Sequence, residues 1–228
     1  MGAMELSPGV HKVEGVRGAN VYLVTTEEGT AIIDTGLPGN EKKLLGYAAK
    51  VGVQPAQISL IVLTHADIDH SGSAAKLKAS TGAKLAVHAA DAPRVAGEMK
   101  LKEVKGGMGL LMGVVSPFMR FTPVKPDLLL KESDTVLGLS VVHTPGHTDG
   151  SISLYKEGAV LFVGDALRTD SEGKPMLPPA GFTADMDLAK ESIRKVSALS
   201  YGLLLPGHGA PGRGGSASLA AFVASGFR

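Results

Sequence analysis

Immediately behind the apolar run 58–63 the chain reads Thr64-His65-Ala66-Asp67-Ile68-Asp69-His70-Ser71-Gly72, which places two imidazoles and two carboxylates within six residues. A continuous apolar run bounded by polar residues is the pattern of a strand buried on both faces. A turn from such a strand into a helix aims alternate side chains at one point and the last pair at a neighbouring point. Two metal ions about 3.5 to 4 Å apart could be clamped there. The alternative for the stretch is a polar turn with accidental histidines. Three later residues argue against that: His147 in Thr144-Pro145-Gly146-His147, Asp165 in Phe162-Val163-Gly164-Asp165 and His208 in Leu205-Pro206-Gly207-His208. Each follows an apolar, strand-like run and stands beside glycine, which lets backbone pass close to a site at a strand's end.

The cluster at 65–70 followed by separated His, Asp and His resembles the metal signature of the metallo-β-lactamase superfamily, His-x-His-x-Asp-His, and Asp34-Thr35-Gly36 matches that family as well. The resemblance runs from about residue 20 to residue 209. It implies an α/β fold, a four-layered αβ/βα sandwich with the site at one edge between the sheets. It also implies a hydrolase whose nucleophile is a hydroxide bridging two divalent metal ions, zinc first, with manganese or iron as alternatives. By position, the resemblance gives His65, Asp67 and His147 to the first metal and Asp69, His70 and His208 to the second, with Asp165 bridging them. Asp69 would also orient the hydroxide, which makes it the catalytic carboxylate.

The chain departs from the family's common pattern at Asp67, where most relatives carry histidine and the flavodiiron proteins carry glutamate. With Asp67, Asp69 and Asp165 ionised beside one hydroxide, the charge of two divalent ions is balanced to zero, whereas histidine at 67 would leave one positive charge. The site is then a weaker Lewis acid, and the added hard oxygen moves its preference toward manganese or iron. The same residue motivates an alternative function, a non-haem di-iron redox protein of the flavodiiron type.

At 228 residues the chain is expected to form one domain, 1–228. Its 23 Lys+Arg against 22 Asp+Glu give no bulk electrostatic reason to expect nucleic acid or an acidic membrane as partner. The absence of cysteine removes disulfides, a thiolate nucleophile and Cys-ligated zinc. No basic segment followed by an apolar run opens the chain, and no stretch reaches the roughly 20 apolar residues of a membrane span. The expectation is a cytoplasmic protein acting on a small molecule. Among the reactions of the resembled family, the missing leader disfavours a secreted β-lactamase. The short tail after His208 disfavours a glutathione thioesterase, and the missing basic groove disfavours a nuclease. A small ester, lactone or phosphoester remains as the expected substrate.

Along the chain, strands are expected at 20–25 and 30–33 as an opening hairpin, then a helix N-capped by Asn40, the strand 58–63, a helix at 73–80, a strand at 84–87 and a helix over about 89–100. The second half predicts strands at 139–143, 152–155, 160–163 and 203–205, with helices at 187–199 and 216–224. Asp34 either orients a ligand histidine or ends a strand and caps a turn. His88 reads as a satisfied buried or surface residue more readily than as a site residue; His143 is no ligand, and His11 reads as surface. An apolar insertion over about 101–127, rich in Met, Leu and Phe, would serve as a lid over the site, as core, or as the contact of a homodimer. Tyr22, Tyr47, Tyr155 and Tyr201 are candidate general acids with nothing to choose between them.

Overall fold

A computed structural model describes residues 4–100 and 121–228. Most of the apolar insertion expected at 101–127, and with it the choice between lid, core and dimer contact, lies outside the described residues. The described chain divides into two compact units, residues 4–100 with 121–130 and residues 131–228.

The first unit is a seven-stranded mixed sheet in the order β1 (Met4–Ser7), β2 (Val10–Lys12), β3 (Tyr22–Thr26), β4 (Gly29–Ile33), β5 (Ile58–Val62), β6 (Lys84–His88) and β7 (Leu128–Leu130). Strands β1 to β4 pair antiparallel, and β4 to β7 pair parallel. The parallel pairs need crossovers, and helices α1 (Glu41–Lys50) and α3 (Ala74–Thr81) supply the first two. Between β5 and α3 lies a single helical turn, α2 (Ile68–Ser71), and α4 (Ala92–Val95) follows β6. Leu23, Ile32, Ile61 and Leu85 are neighbours in register across four strands. They share one face of the sheet because side chains alternate along a strand. That row is buried in one cluster with Leu44 and Tyr47 of α1, Leu77 of α3 and Val95 of α4, so the helices cover this face.

The second unit holds a five-stranded sheet formed by β8 (Thr135–Val136), β9 (Leu139–His143), β10 (Ile152–Lys156), β11 (Val160–Gly164) and β14 (Leu203–Pro206), ordered β14-β11-β10-β9-β8. A two-stranded ribbon, β12 (Arg168–Thr169) with β13 (Pro175–Met176), stands beside it in sequence. Helix α5 (Met186–Ser197) is capped by Asp185, whose carboxylate accepts from Leu188 N at 2.9 Å. It buries Ala189, Ser192, Ile193 and Val196, the spacing of one helical face. Ile193 and Val196 pack with Leu161, Val163, Leu204 and, from α6 (Gly215–Ala224), Leu219.

The expected elements are present with shifts of one or two residues, apart from three differences. The hairpin of β3 and β4 does not open the sheet: β1 and β2 precede it, two strands of four and three residues that are too short for a clear alternation. The helix expected at 89–100 is the four-residue α4. Pro93 sits in its first turn, where it lacks an N–H to donate, and Gly97 at φ +75° turns the chain out of the helix. Asn40 does precede α1, yet its side chain makes no capping bond. It is fully buried, accepts from Arg17 N at 3.1 Å and donates to Arg17 O and Leu37 O at 2.8 and 3.0 Å. Its amide therefore fixes the loop before β3 instead of the helix end.

Candidate metal centre

Three of the four parallel strands of the first unit deliver polar residues at their carboxyl ends: Asp34 after β4, Thr64 and His65 after β5, and His88 closing β6. That edge is where open α/β sheets bind ligands. Asp34 is 2% exposed and adopts φ +60°, a left-handed conformation that Asp tolerates better than most residues. Its N–H donates to Val62 O at 2.8 Å. One carboxylate oxygen accepts from Thr64 N at 2.8 Å, and the other accepts from His70 Nδ1 at 2.8 Å and from Thr64 Oγ1 at 2.8 Å.

This arrangement fixes where the protons lie. An ionised carboxylate is an acceptor only, so the proton shared with His70 belongs to Nδ1. The Thr64 hydroxyl has one hydrogen, and with that hydrogen given to Asp34 it can only accept from His65 Nδ1, 3.1 Å away. Both imidazoles are thereby set as Nδ1–H tautomers, with Nε2 carrying the lone pair a metal needs. The two rings are completely buried and lie 4.0 Å apart between centroids. His65 Nε2 is 3.7 Å from Asp67 Oδ2, and His70 Nε2 is 4.0 Å from Asp69 Oδ2. These distances exceed a hydrogen bond. They are closer to the roughly 3.4 Å that separates two ligands on a tetrahedral ion with bonds of about 2.05 Å.

The loop that carries these groups is tied down at several points. His70 O accepts from Thr35 N and Thr35 Oγ1 at 2.6 and 2.8 Å, and Ser71 Oγ donates to Ala66 O at 3.0 Å. Ala66 N donates to Asp91 Oδ2 at 2.9 Å, and Asp91 is fully buried beside Arg94 at 3.3 Å.

In the second unit, β9 is antiparallel to β10, β10 to β11, and β11 runs parallel to β14, so β9, β11 and β14 point the same way. His147, Asp165 and His208 follow their three carboxyl ends. Asp165 Oδ2 lies 3.6 Å from His147 Nε2 and 3.5 Å from His208 Nε2, so a single carboxylate oxygen faces two imidazoles. His147 is held by α5: Gly146 O accepts from Asp185 N at 2.9 Å, and Ser192 Oγ donates to Pro145 O at 2.7 Å. Gly146, at φ +129°, is required there, because a Cβ would collide with the main chain of Ala189. The loop of His208 is anchored by Thr169 N, which donates to its carbonyl at 3.1 Å.

Of the two readings for Asp34, the structure shows the orienting one, since its carboxylate positions His70 while its backbone ends β4. His88 is satisfied locally, its Nδ1 accepting from Ala90 N at 3.2 Å. His143 bonds Asp149 O through Nε2 at 2.8 Å. His11, expected on the surface, is only 15% exposed in its side chain and packs edge-on against Tyr47, because β2 lies inside the sheet. Tyr47 Oη accepts from Met4 N and Tyr155 Oη donates to Ser200 O, at 2.9 and 3.1 Å. Burial pushes the phenol of Tyr22 far up, a hydrogen bond with Asn20 opposing and the charge of Asp34 adding to the rise. Burial does the same to Tyr201. The sequence did not single out Thr64 or Asp91. Thr64 directly precedes a candidate ligand and gave a usable signal; Asp91 lies 21 residues beyond His70 and gave none.

The family model for the metallo-beta-lactamase superfamily matches residues 15–208. The probable metallo-hydrolase YflN of Bacillus subtilis is 30% identical, with 91% of this chain and 86% of that protein covered. An N-acyl homoserine lactonase from a Bacillus species is 26% identical, covering 77% of this chain and 73% of its own. Among solved structures, a subclass B3 metallo-beta-lactamase of Bradyrhizobium japonicum superposes with a TM-score of 0.72 at 27% identity, covering 99% of this chain and 90% of its own. A metallo-beta-lactamase family protein from Thermus thermophilus reaches 0.75 at 22% identity over 97% and 80%. The family model spans most of the chain, the 30% identical relative is covered over most of its length, and the mixed α/β architecture is shared with the solved structures; the chain belongs to the metallo-beta-lactamase superfamily.

Proposed function

We propose that this protein is a binuclear metallo-hydrolase of small carboxylic esters, with lactones the first substrate class, and that His65, Asp67, Asp69, His70, His147, Asp165 and His208 hold two divalent ions, zinc first. The observation that carries the reading is the single oxygen of Asp165 standing 3.6 and 3.5 Å from two imidazole nitrogens, the arrangement a bridging carboxylate needs. The tautomers imposed on His65 and His70 support it, because both present Nε2 as a lone pair. Four imidazoles with three carboxylates suit zinc, and the carboxylate at 67 widens the range to manganese or iron.

Two divalent ions bound there would act as Lewis acids on an ester carbonyl and would lower the pKa of water from 15.7 to about 7. Asp69, 32% exposed in its side chain, would orient the attacking hydroxide as well as serve as a ligand. Thr64, Asp34 and Asp91 hold the loop rigid while charge develops on the substrate oxygen, so little reorganisation is spent at that moment. The lactone class is favoured because N-acyl homoserine lactonases stand among the relatives. Phosphoesters follow as a second class open to the same donor set. We place the protein in the cytoplasm with a small molecule as its substrate; among the described residues no helix is long and apolar enough to cross a membrane.

The test is elemental analysis of protein purified without added metal, run beside a panel of lactone, carboxylic ester and phosphotriester substrates. About two equivalents of zinc or manganese, with lactone turnover lost in His65→Ala, is the expected result. Two equivalents of iron with oxygen uptake would replace the hydrolase reading, and metal-free protein with full turnover would overturn the ligand set.

A further inference from the structure

A cavity of about 440 Å³ opens in the first unit, lined by Met4, Lys12, Glu14, Val16, Ala19 and Asn20 among others. That volume is within the range of small-molecule sites, about 300 to 1,000 Å³. Lys12 is the unusual member of the lining. It is half-buried on β2, with Met4 and Tyr22 as its cross-strand neighbours, and among the described residues no carboxylate stands within ion-pair distance of it. Burial holds its ammonium below the usual lysine range. Glu14, on the same wall, is exposed and solvated. A partly dehydrated cation with no counter-charge among the described residues is a cost to the fold that a bound anion would relieve.

The cavity wall is also joined to the loop of the candidate metal centre. Ala19 N donates to Asp69 O at 3.1 Å. Gly18, at φ +92°, brings the wall so near that a Cβ would stand 3.0 Å from Asp69 O and 3.0 Å from Leu37. Only glycine allows that approach, so the cavity flanks the segment carrying Asp67, Asp69 and His70. Apolar lining from Met4, Val16 and Ala19 suits an alkyl chain, and the cation at Lys12 suits an anionic end.

We propose that this cavity receives the remote end of the substrate and that Lys12 selects esters or lactones carrying a carboxylate there. The proposal rests on the hydrolase reading above, and its test separates the two. Metal-loaded protein is assayed with two esters of equal chain length, mono-4-nitrophenyl adipate, which ends in a carboxylate, and 4-nitrophenyl hexanoate, which does not. Adipate binding is measured separately by calorimetry. Lys12→Met, which keeps the length of the side chain and removes its charge, is expected to lower the ratio of kcat/KM for the adipate ester over the hexanoate ester about tenfold. It should weaken adipate binding by a similar factor, with Lys12→Arg restoring both. Equal changes for the two esters, or adipate binding indifferent to the charge at position 12, would overturn the assignment. If neither these esters nor the lactone and phosphotriester panel is turned over while adipate binding still depends on Lys12, the cavity stands and the hydrolase reading falls.

Discussion

Asp34 Oδ2 accepts the Nδ1 proton of His70 at 2.8 Å, with both residues almost wholly buried, and the same carboxylate holds the backbone and hydroxyl of Thr64. One side chain at the end of β4 thus fixes the tautomer of His70 directly and that of His65 through Thr64. Asp34→Asn keeps the shape and an acceptor for Thr64 but can present a donor toward Nδ1. The expected outcome is a 10- to 100-fold loss of affinity for the metal bound at His70, read by competition with a chelator. Nitrogen chemical shifts of the metal-free protein should show His70 shifting to the Nε2–H tautomer. Unchanged affinity would mean that metal binding does not depend on the orientation Asp34 gives His70.

Asp67 offers a test of the ligand set that does not depend on substrate. Exchanging its oxygen for an imidazole nitrogen in Asp67→His makes the donor set softer and leaves one more positive charge at the centre. Affinity for zinc relative to manganese is expected to rise, measured by titrating each metal against the same chelator. An identical zinc-to-manganese ratio in the two proteins would mean that Asp67 does not donate to the metal.

Much of this centre was legible because ligands follow apolar runs, and an apolar run of five or six residues announces a buried strand whatever it pairs with. His65, His147, Asp165 and His208 could therefore be placed at strand ends from sequence alone. The groups that hold them could not, because their partners are distant in sequence: Thr35 meets His70, and Asp91 meets Ala66. The short strands β1, β2, β7 and β8 were illegible for a related reason. With two to four residues each, they have too little alternation to register and exist because the neighbouring strand supplies their hydrogen bonds. Asn40 shows the converse failure, a residue of capping type spent on a tertiary contact.

Asp91 supplies a prediction about the loop without touching its ligands. Its carboxylate is fully buried, accepts from Ala66 N at 2.9 Å and pairs with Arg94. Asp91→Ala leaves a buried N–H and a guanidinium without that acceptor, for which a loss of about 1 to 3 kcal/mol is expected in urea unfolding. Weaker metal binding should accompany it, since Ala66 lies between His65 and Asp67. A loss below about 0.5 kcal/mol would show that the loop does not depend on this anchor.

Asp127 gives a pH signature remote from the candidate centre. The ammonium of Lys78, 2.7 Å away, and the N–H of Leu85 hold its carboxyl below its ordinary value of 3.8, against a smaller opposing effect of burial. A lowered folded-state pKa means that the native state favours the ionised form. The stabilisation is therefore complete above 3.8 and is lost as pH falls through the lowered folded value. The pair is 27% and 37% exposed, so solvent screening limits its worth to about 1 kcal/mol or less. The stability gap between the native protein and Asp127→Asn should be constant from about pH 5 to 7 and should close below about pH 3.8. Carboxylates elsewhere titrate equally in both proteins and cancel from the difference. A gap that persists undiminished in acid would show that it does not arise from the charge of Asp127, since the Leu85 hydrogen bond, which an asparagine oxygen can still accept, cancels from the difference.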